Sequence, residues 1–313
     1  MGDDSIVQRT DPAQSFDLGS GHQKDVAARL RRMREDNFTA RFLAKDPTLW
    51  KDEPDHARVV KNRMGWLEVA GRMLGGLKEI DSFAREIRQA RFRHVVLLGM
   101  GGSSLCPDVL RRTFRRRSGS PALLVLDSTD PEAIAAVDRL IDPGATVFIV
   151  ASKSGTTLES RVFYQYFAQK APPDHFVAIT DPGTVLETMA RERGFRRLFL
   201  NPPDIGGRYS ALSYFGMVPA ACLGIDVAEL LRRGDRMART LAPGEPIEAC
   251  PPVVLGATLG TLALAGRDKI TFVASERIAT FGYWIEQLLA ESTGKEGKGL
   301  VPVEGEPLGA ASL

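Results

Sequence analysis

The sequence has few cysteines, almost no net charge and no apolar run long enough to cross a membrane. Cys106, Cys222 and Cys250 show neither metal-ligand spacing nor the even count of a disulfide framework, so we expect a reducing, cytoplasmic compartment. Because 41 basic residues stand against 39 acidic ones, no nucleic-acid or membrane partner is indicated. The longest apolar run, residues 251–266, is shorter than the roughly 20 residues that span a bilayer and predicts a buried helix.

The order of apolar segments predicts the fold class. Residues 24–44 and 58–90 carry apolar side chains at helical spacing, which indicates a helical front end. From residue 94, short apolar runs alternate with helix-like segments, and the runs read HVVLLG, ALLVLD, TVFIVA, HFVAIT and RRLFLN. This alternation predicts a doubly wound α/β fold whose parallel five-stranded sheet is covered on both faces. Such sheets bind ligands outside the carboxyl ends of their strands.

A second α/β unit begins after the first one and does not finish. A strand over Lys269–Ser275 and a helix over about 279–291 are expected, and the residues that follow are rich in glycine. We therefore expect exposed apolar surface around Val253–Leu264. The predicted domains are a helical segment (1–65), a first α/β domain (66–240) and the beginning of a second (241–313).

The first strand is followed by LLGMGGSSL, a glycine-rich turn. A dinucleotide site would need a third glycine where Ser104 stands, and the acidic residue Asp127 comes 28 positions after Gly99 rather than about 20. A nicotinamide cofactor is therefore disfavoured, and no cofactor is predicted. Gly102 can still let the backbone approach a ligand closely, and Ser103 and Ser104 are expected to cap the next helix.

The third strand is followed by ASKSGTTLES, which places hydroxyls, a lysine and a glycine between a strand and a helix. A polar turn would explain such a cluster. The alternative is an anion cradle, because free N–H groups at a helix start favour a dianion such as phosphate. No G-x-x-x-x-G-K-[ST] motif occurs, so a nucleotide P-loop is excluded.

Two further segments carry residues suited to catalysis. Gly206 and Gly207 are expected to allow unusual backbone angles just before Arg208, so that its guanidinium can enter a site. Gln287 and Glu291 are four apart and share one helix face, and Glu291 lies near the helix end, where it could serve as a general base. Taken singly, a structural arginine and a surface glutamate remain the alternatives.

Together, GMGGSSL, SKSGTT, GGRYSALSYFGMVPAACLG and EQLLAESTGK resemble, in this order, the glucose-6-phosphate isomerase (phosphoglucose isomerase) family of the sugar isomerase (SIS) domain superfamily. The resemblance runs from about residue 40 onward. In style it is closest to bacterial isomerases that occur alone or fused to a transaldolase. It implies SIS domains, a sugar phosphate substrate, a dimer, no metal and no cofactor.

The resemblance also implies roles for individual residues. Glu291 would move a proton between C1 and C2 through a cis-enediol, and Arg208 would face that intermediate, where negative charge develops. The residues implied in substrate and phosphate binding are Gly102, Ser103, Ser152, Lys153, Ser154, Thr157, Gly207 and Gln287.

The sequence departs from the family pattern in its histidines. They are His22, His56, His94 and His175, and none lies after Glu291, where the family carries its ring-opening histidine and, in a later helix, a lysine. We therefore expect either a C-terminally truncated fragment or a shortened relative that has lost ring opening. The leading hypothesis is isomerisation of glucose 6-phosphate and fructose 6-phosphate, and the alternative is a non-catalytic phosphosugar sensor.

Overall fold

The computed structural model describes residues 14–242 and 244–306. The helices are α1 (Gly19–Glu35), α2 (Phe38–Leu43), α3 (Pro54–Lys61), α4 (Val69–Gly75), α5 (Leu77–Gln89), α6 (Leu105–Thr113), α7 (Pro131–Leu140), α8 (Leu158–Phe167), α9 (Val185–Glu192), α10 (Tyr214–Cys222), α11 (Val227–Arg239), α12 (Pro251–Leu264) and α13 (Phe281–Thr293). The strands are β1 (His94–Gly99), β2 (Ala122–Leu126), β3 (Thr146–Ala151), β4 (Phe176–Thr180), β5 (Arg197–Leu200), β6 (Lys269–Thr271) and β7 (Val301–Val303).

The main sheet has five strands in the order β2-β1-β3-β4-β5, and all its pairs are parallel. This confirms the predicted doubly wound α/β class. The strands lie within one or two residues of the five apolar runs, because a strand buried on both faces reads as a continuous apolar segment.

Alternate residues of each strand contribute to two separate cores. Val95 and Leu97 pack with helices α4, α5, α6, α10 and α11, whereas Val96 and Leu98 pack with α7, α8 and α9. Because successive side chains of a strand point to opposite faces, each strand supplies both cores. The sheet is thereby covered on both sides, which leaves the strand ends as the place where polar side chains converge.

A third core joins the helical front end to the second α/β unit. Val26 and Leu30 of α1 pack in one cluster with Val253, Val254 and Ala257 of α12. These five side chains are less than 10% exposed. The predicted domain boundaries at 65 and 240 remain a prediction, and this shared core crosses both of them.

The second unit differs from expectation in its strands. The strand expected over Lys269–Ser275 ends at Thr271, and β6 pairs in parallel with β7. The sequence reading missed β7 because its three residues include Pro302, which cannot donate a backbone hydrogen bond, and follow a glycine-rich stretch. A two-stranded sheet is too small to bury both of its faces.

The apolar run at 251–264 forms a helix, as predicted, with two unequal faces. Val253, Val254 and Ala257 are buried, whereas Leu255 is 45% and Leu264 is 70% exposed. The expected exposed apolar surface is therefore confirmed for the outer face alone. Within 14–242 and 244–306, no helix combines the length and the apolar character needed to span a membrane.

Two thiols should be unreactive in the folded chain. Burial raises the pKa of both Cys106 and Cys222 to about 12, so on the order of 10⁻⁴ of each is thiolate at pH 8. We expect slow alkylation by iodoacetamide at pH 8, a roughly tenfold faster rate for each unit of pH up to about 11, and fast labelling in denaturant. Peptide mass spectrometry after timed labelling measures this, and rapid labelling of either cysteine in the folded chain would contradict it.

Candidate active site

Two loops meet at the carboxyl edge of the sheet. Strands β1 and β3 are neighbours, and Gly99 at the end of β1 pairs with Ala151 at the end of β3. The strand order reverses between them, which is where doubly wound sheets bind their ligands. The glycine-rich turn and the hydroxyl cluster therefore lie side by side, as the sequence predicted.

The hydroxyl cluster is internally hydrogen-bonded. Ser152 Oγ and Thr157 Oγ1 are 2.7 Å apart, and Ser154 Oγ and Thr156 Oγ1 are 2.8 Å apart. Ser152 is buried and Ser154 is exposed, so the cluster extends from the end of the strand to the surface. A hydroxyl both donates and accepts, so each pair can turn a proton toward an incoming acceptor.

Backbone N–H groups of the same loop are also unpaired. Among the described residues, the N–H groups of Lys153, Ser154 and Thr157 have no acceptor. Thr157 occupies the N-cap position of α8 without making a side-chain cap hydrogen bond, and Gly155, with φ +68°, turns the chain. The unpaired donors and the positive end of the helix dipole together favour an anion here.

The Lys153 side chain lies away from these hydroxyls. Its ammonium pairs with Asp181, which follows β4, and also donates to the Pro203 carbonyl at 3.3 Å. Burial raises the pKa of Asp181, and the Lys153 charge offsets part of this effect. The role of Lys153 in binding an anion therefore remains a prediction.

The β1–α6 turn differs in one detail from expectation. Ser104 stands at the N-cap of α6 but does not cap it, because its hydroxyl donates to the Gly101 carbonyl at 3.2 Å. The predicted capping by Ser104 is therefore wrong. Neither α6 nor α8 has its first N–H groups satisfied by an N-cap side chain. The Ser103 hydroxyl has no partner among residues 14–242 and 244–306.

The arginine segment packs directly against the β1–α6 turn. A Cβ atom on Gly102 would lie 2.2 Å from the carbonyl oxygen of Gly207, so the two backbones touch. Ser210 Oγ lies 3.2 Å from the Gly102 carbonyl and 2.6 Å from the Gly207 carbonyl. Gly206 has φ −67° and Gly207 is not in the left-handed region, so the predicted unusual angles are wrong. Close approach, rather than an unusual backbone angle, is what requires glycine at position 102.

Arg208 and Glu291 come together at this edge. Arg208 Nη1 donates to Glu291 Oε2 at 3.3 Å, and Gln287 Nε2 donates to Glu291 Oε1 at 3.2 Å. The Glu291 side chain is 52% exposed, so a ligand can reach it. Carboxylate, guanidinium and amide thus form one polar group beside the anion cradle.

Gln287 also connects α13 to the glycine-rich turn. A Cβ atom on Gly101 would lie 2.8 Å from Gln287 Nε2, and Gln287 Oε1 is buried without a partner among the described residues. The four segments singled out in the sequence therefore meet in one place. No three His, Cys, Asp or Glu side chains in 14–242 and 244–306 are grouped so that they could hold a metal ion.

Sequence reasoning missed a second set of contacts behind Arg208. Arg208 Nε donates to Ser292 Oγ at 2.8 Å, and the hydroxyls of Tyr209 and Ser292 are 2.8 Å apart. Tyr209 stacks on Trp66, with ring centroids 5.4 Å apart. The available signal was adjacency, because Tyr209 and Ser292 follow Arg208 and Glu291 directly.

A family model described as phosphoglucose isomerase matches residues 69–301. The chain is 33% identical over 238 residues to a glucose-6-phosphate isomerase from Carboxydothermus hydrogenoformans, covering 70% of this chain and 50% of that protein. It is 31% identical over 300 residues to the enzyme of that name from Desulfitobacterium hafniense, covering 83% and 56%. The chain thus spans about half the length of these curated relatives.

Solved structures give the same picture. A hypothetical protein from Thermus thermophilus is 28% identical with a TM-score of 0.73, covering 90% of this chain and 67% of that one. A glucose-6-phosphate isomerase from Chlamydia trachomatis, 22% identical with a TM-score of 0.68 over 88% of this chain and 58% of that one, shares the fold. Since the family model covers more than half of the residues and the four site segments lie within its span, this chain belongs to the phosphoglucose isomerase family.

Proposed function

We propose that this chain carries the substrate site of an isomerase that interconverts glucose 6-phosphate and fructose 6-phosphate. The observation that carries the proposal is the Arg208–Glu291 pair beside an anion cradle. The names of its relatives support the same reaction.

In this proposal the loop after β3 holds the phosphate. The hydroxyls of Ser152, Ser154 and Thr157 and the unpaired N–H groups at the start of α8 would donate to its oxygens. The Ser103 hydroxyl would add a donor from the neighbouring turn, and the backbones of Gly102 and Gly207 would line the pocket. Charge-assisted hydrogen bonds of this kind are stronger than neutral ones.

Glu291 would act as the base on the open-chain sugar. It removes the proton from C2 of the aldose, which leaves an enediolate, and returns that proton to C1 to give the ketose. Between the two steps, negative charge lies on the sugar oxygens, and Arg208 stabilises it. Gln287 would orient both the substrate and the Glu291 carboxylate.

A phosphosugar sensor would bind the same ligand without turnover. One coupled assay separates the two hypotheses, with fructose 6-phosphate as substrate and a glucose-6-phosphate dehydrogenase as reporter, run beside calorimetric titration with glucose 6-phosphate. We expect both binding and turnover. Binding without turnover would favour the sensor, and failure to bind either phosphosugar would overturn the proposed site.

The family dimer is also proposed for this chain. Its support is family membership, because a site near the chain surface can be completed by a partner subunit. Sedimentation of the purified chain at several concentrations measures its mass, and a monomer throughout would contradict the proposal.

Ser292 is expected to position Arg208. Replacing it by alanine removes the acceptor of Arg208 Nε and the partner of Tyr209, which should lower kcat about tenfold with little change in KM. The reason is that the arginine charge is needed most when the enediolate forms. Ser292→Thr keeps a hydroxyl and should restore most of kcat, so equal losses in the two variants would contradict a positioning role.

A further inference from the structure

A second cavity lies on the far side of the arginine segment. Its volume is about 620 Å³, within the range of small-molecule sites. The lining residues come mainly from α1, α2, α4, α11 and α12, and we call it the α12 cavity. Those used below are Arg29, Phe38, Phe42, Trp66, Gly256, Gly260 and Thr261.

One wall of the α12 cavity is aromatic. The rings of Phe38 and Phe42 stack with centroids 5.4 Å apart, and Phe42 meets Trp66 edge-on at 6.2 Å. These rings are held against one another and so present a fixed apolar surface. An aliphatic or aromatic group can pack against such a surface without first ordering it.

The facing wall, on α12, is unusually bare. A Cβ atom on Gly256 or Gly260 would meet nothing within 4 Å. Glycine inside a helix lowers helix stability relative to alanine, and no described neighbour requires its small size here. The two glycines leave open space opposite the aromatic wall.

The polar groups of the cavity are few and of one kind. Arg29 is the one charged residue among the described residues that line it, and its side chain pairs with no carboxylate in 14–242 and 244–306. Thr261 Oγ1 is buried without a hydrogen-bond partner among the same residues. A guanidinium and a hydroxyl both donate to a carboxylate, and a guanidinium does so with two N–H groups.

We propose that the α12 cavity binds an apolar carboxylate, with its hydrocarbon part between the aromatic wall and α12 and its carboxylate on Arg29. Charge complementarity selects the anion, because no acidic residue lines the cavity among the described residues. The proposal does not depend on the isomerase reaction, since the lining includes neither Arg208 nor Glu291.

The test uses decanoate as the probe and decan-1-ol as its uncharged analogue, both below the concentration at which they aggregate. Calorimetric titration of the full chain should show saturable binding, with decanoate at least tenfold tighter than the alcohol. Arg29→Gln should remove this difference. Arg31→Gln makes the same charge change on the exposed side of α1, outside the lining, and should leave it intact.

A filled cavity provides the second arm. Gly260→Leu places a side chain in the open space, so it should abolish binding of both probes without lowering the thermal midpoint of unfolding. Equal affinity for acid and alcohol, or unchanged decanoate binding in Arg29→Gln, would overturn the proposal. Concentration-dependent self-association that Gly260→Leu removes and decanoate does not affect would assign the cavity to a second copy of the chain instead.

Discussion

Glu291→Gln should reduce isomerisation by about 10²–10⁴-fold while leaving the affinity for glucose 6-phosphate nearly unchanged. Glutamine keeps the shape of the side chain and can still accept from Arg208, but it cannot take up the C2 proton. The coupled assay measures turnover. Incorporation of solvent deuterium at C2, followed by NMR, measures proton transfer without requiring the full reaction.

The matched control for this prediction is Glu286→Gln. Glu286 lies on the same helix at an exposed position, five residues away and therefore on a different face. It should behave as the unmodified chain. Exchange at C2 that survives in Glu291→Gln would show that another group is the base. A chain that binds the phosphosugar but neither exchanges nor turns it over would show that the proposed reaction is absent.

Gly102→Ala should damage both the fold and the site. The added Cβ would lie 2.2 Å from the Gly207 oxygen and 2.5 Å from the Gly207 carbonyl carbon, and a backbone cannot yield as a flexible side chain can. Overpacking of this kind lowers the free energy of unfolding by about 1–3 kcal/mol. Because the two segments must separate, affinity for glucose 6-phosphate should also fall at least about tenfold.

The other side of the same contact supplies the control. A Cβ on Gly207 would meet nothing within 4 Å, and its φ is not in the left-handed region, so Gly207→Ala should change stability little. Urea denaturation and calorimetric titration of both variants measure the difference. Equal destabilisation by the two substitutions would indicate that backbone freedom, rather than close approach, explains the glycine pair.

The elements that could be predicted from sequence are those whose signal is local. An apolar strand followed by glycines or hydroxyls marks both loops of the cradle, and the parallel order of strands brings Gly99 beside Ala151. The spacing of Gln287 and Glu291 likewise predicts one helix face, which their hydrogen bond confirms. Family resemblance then connected these local signals into one site.

What escaped prediction depends on long-range partners. Nothing in the letters around Lys153 indicates that its ammonium pairs with Asp181, 28 residues later. Trp66 resembles any apolar residue of a helical front end, yet it stacks on Tyr209 behind the arginine. Such pairings are set by tertiary packing, which a single sequence does not display.

The core shared by α1 and α12 has a consequence for synthesis on the ribosome. Val26 and Leu30 pack against Val253 and Val254, which are more than 200 positions later in the chain. At about 5–20 residues per second, the partner helix follows α1 by roughly 10–45 s. The apolar face of α1 therefore has no native cover during most of translation, and a chaperone that binds nascent chains would find its target there.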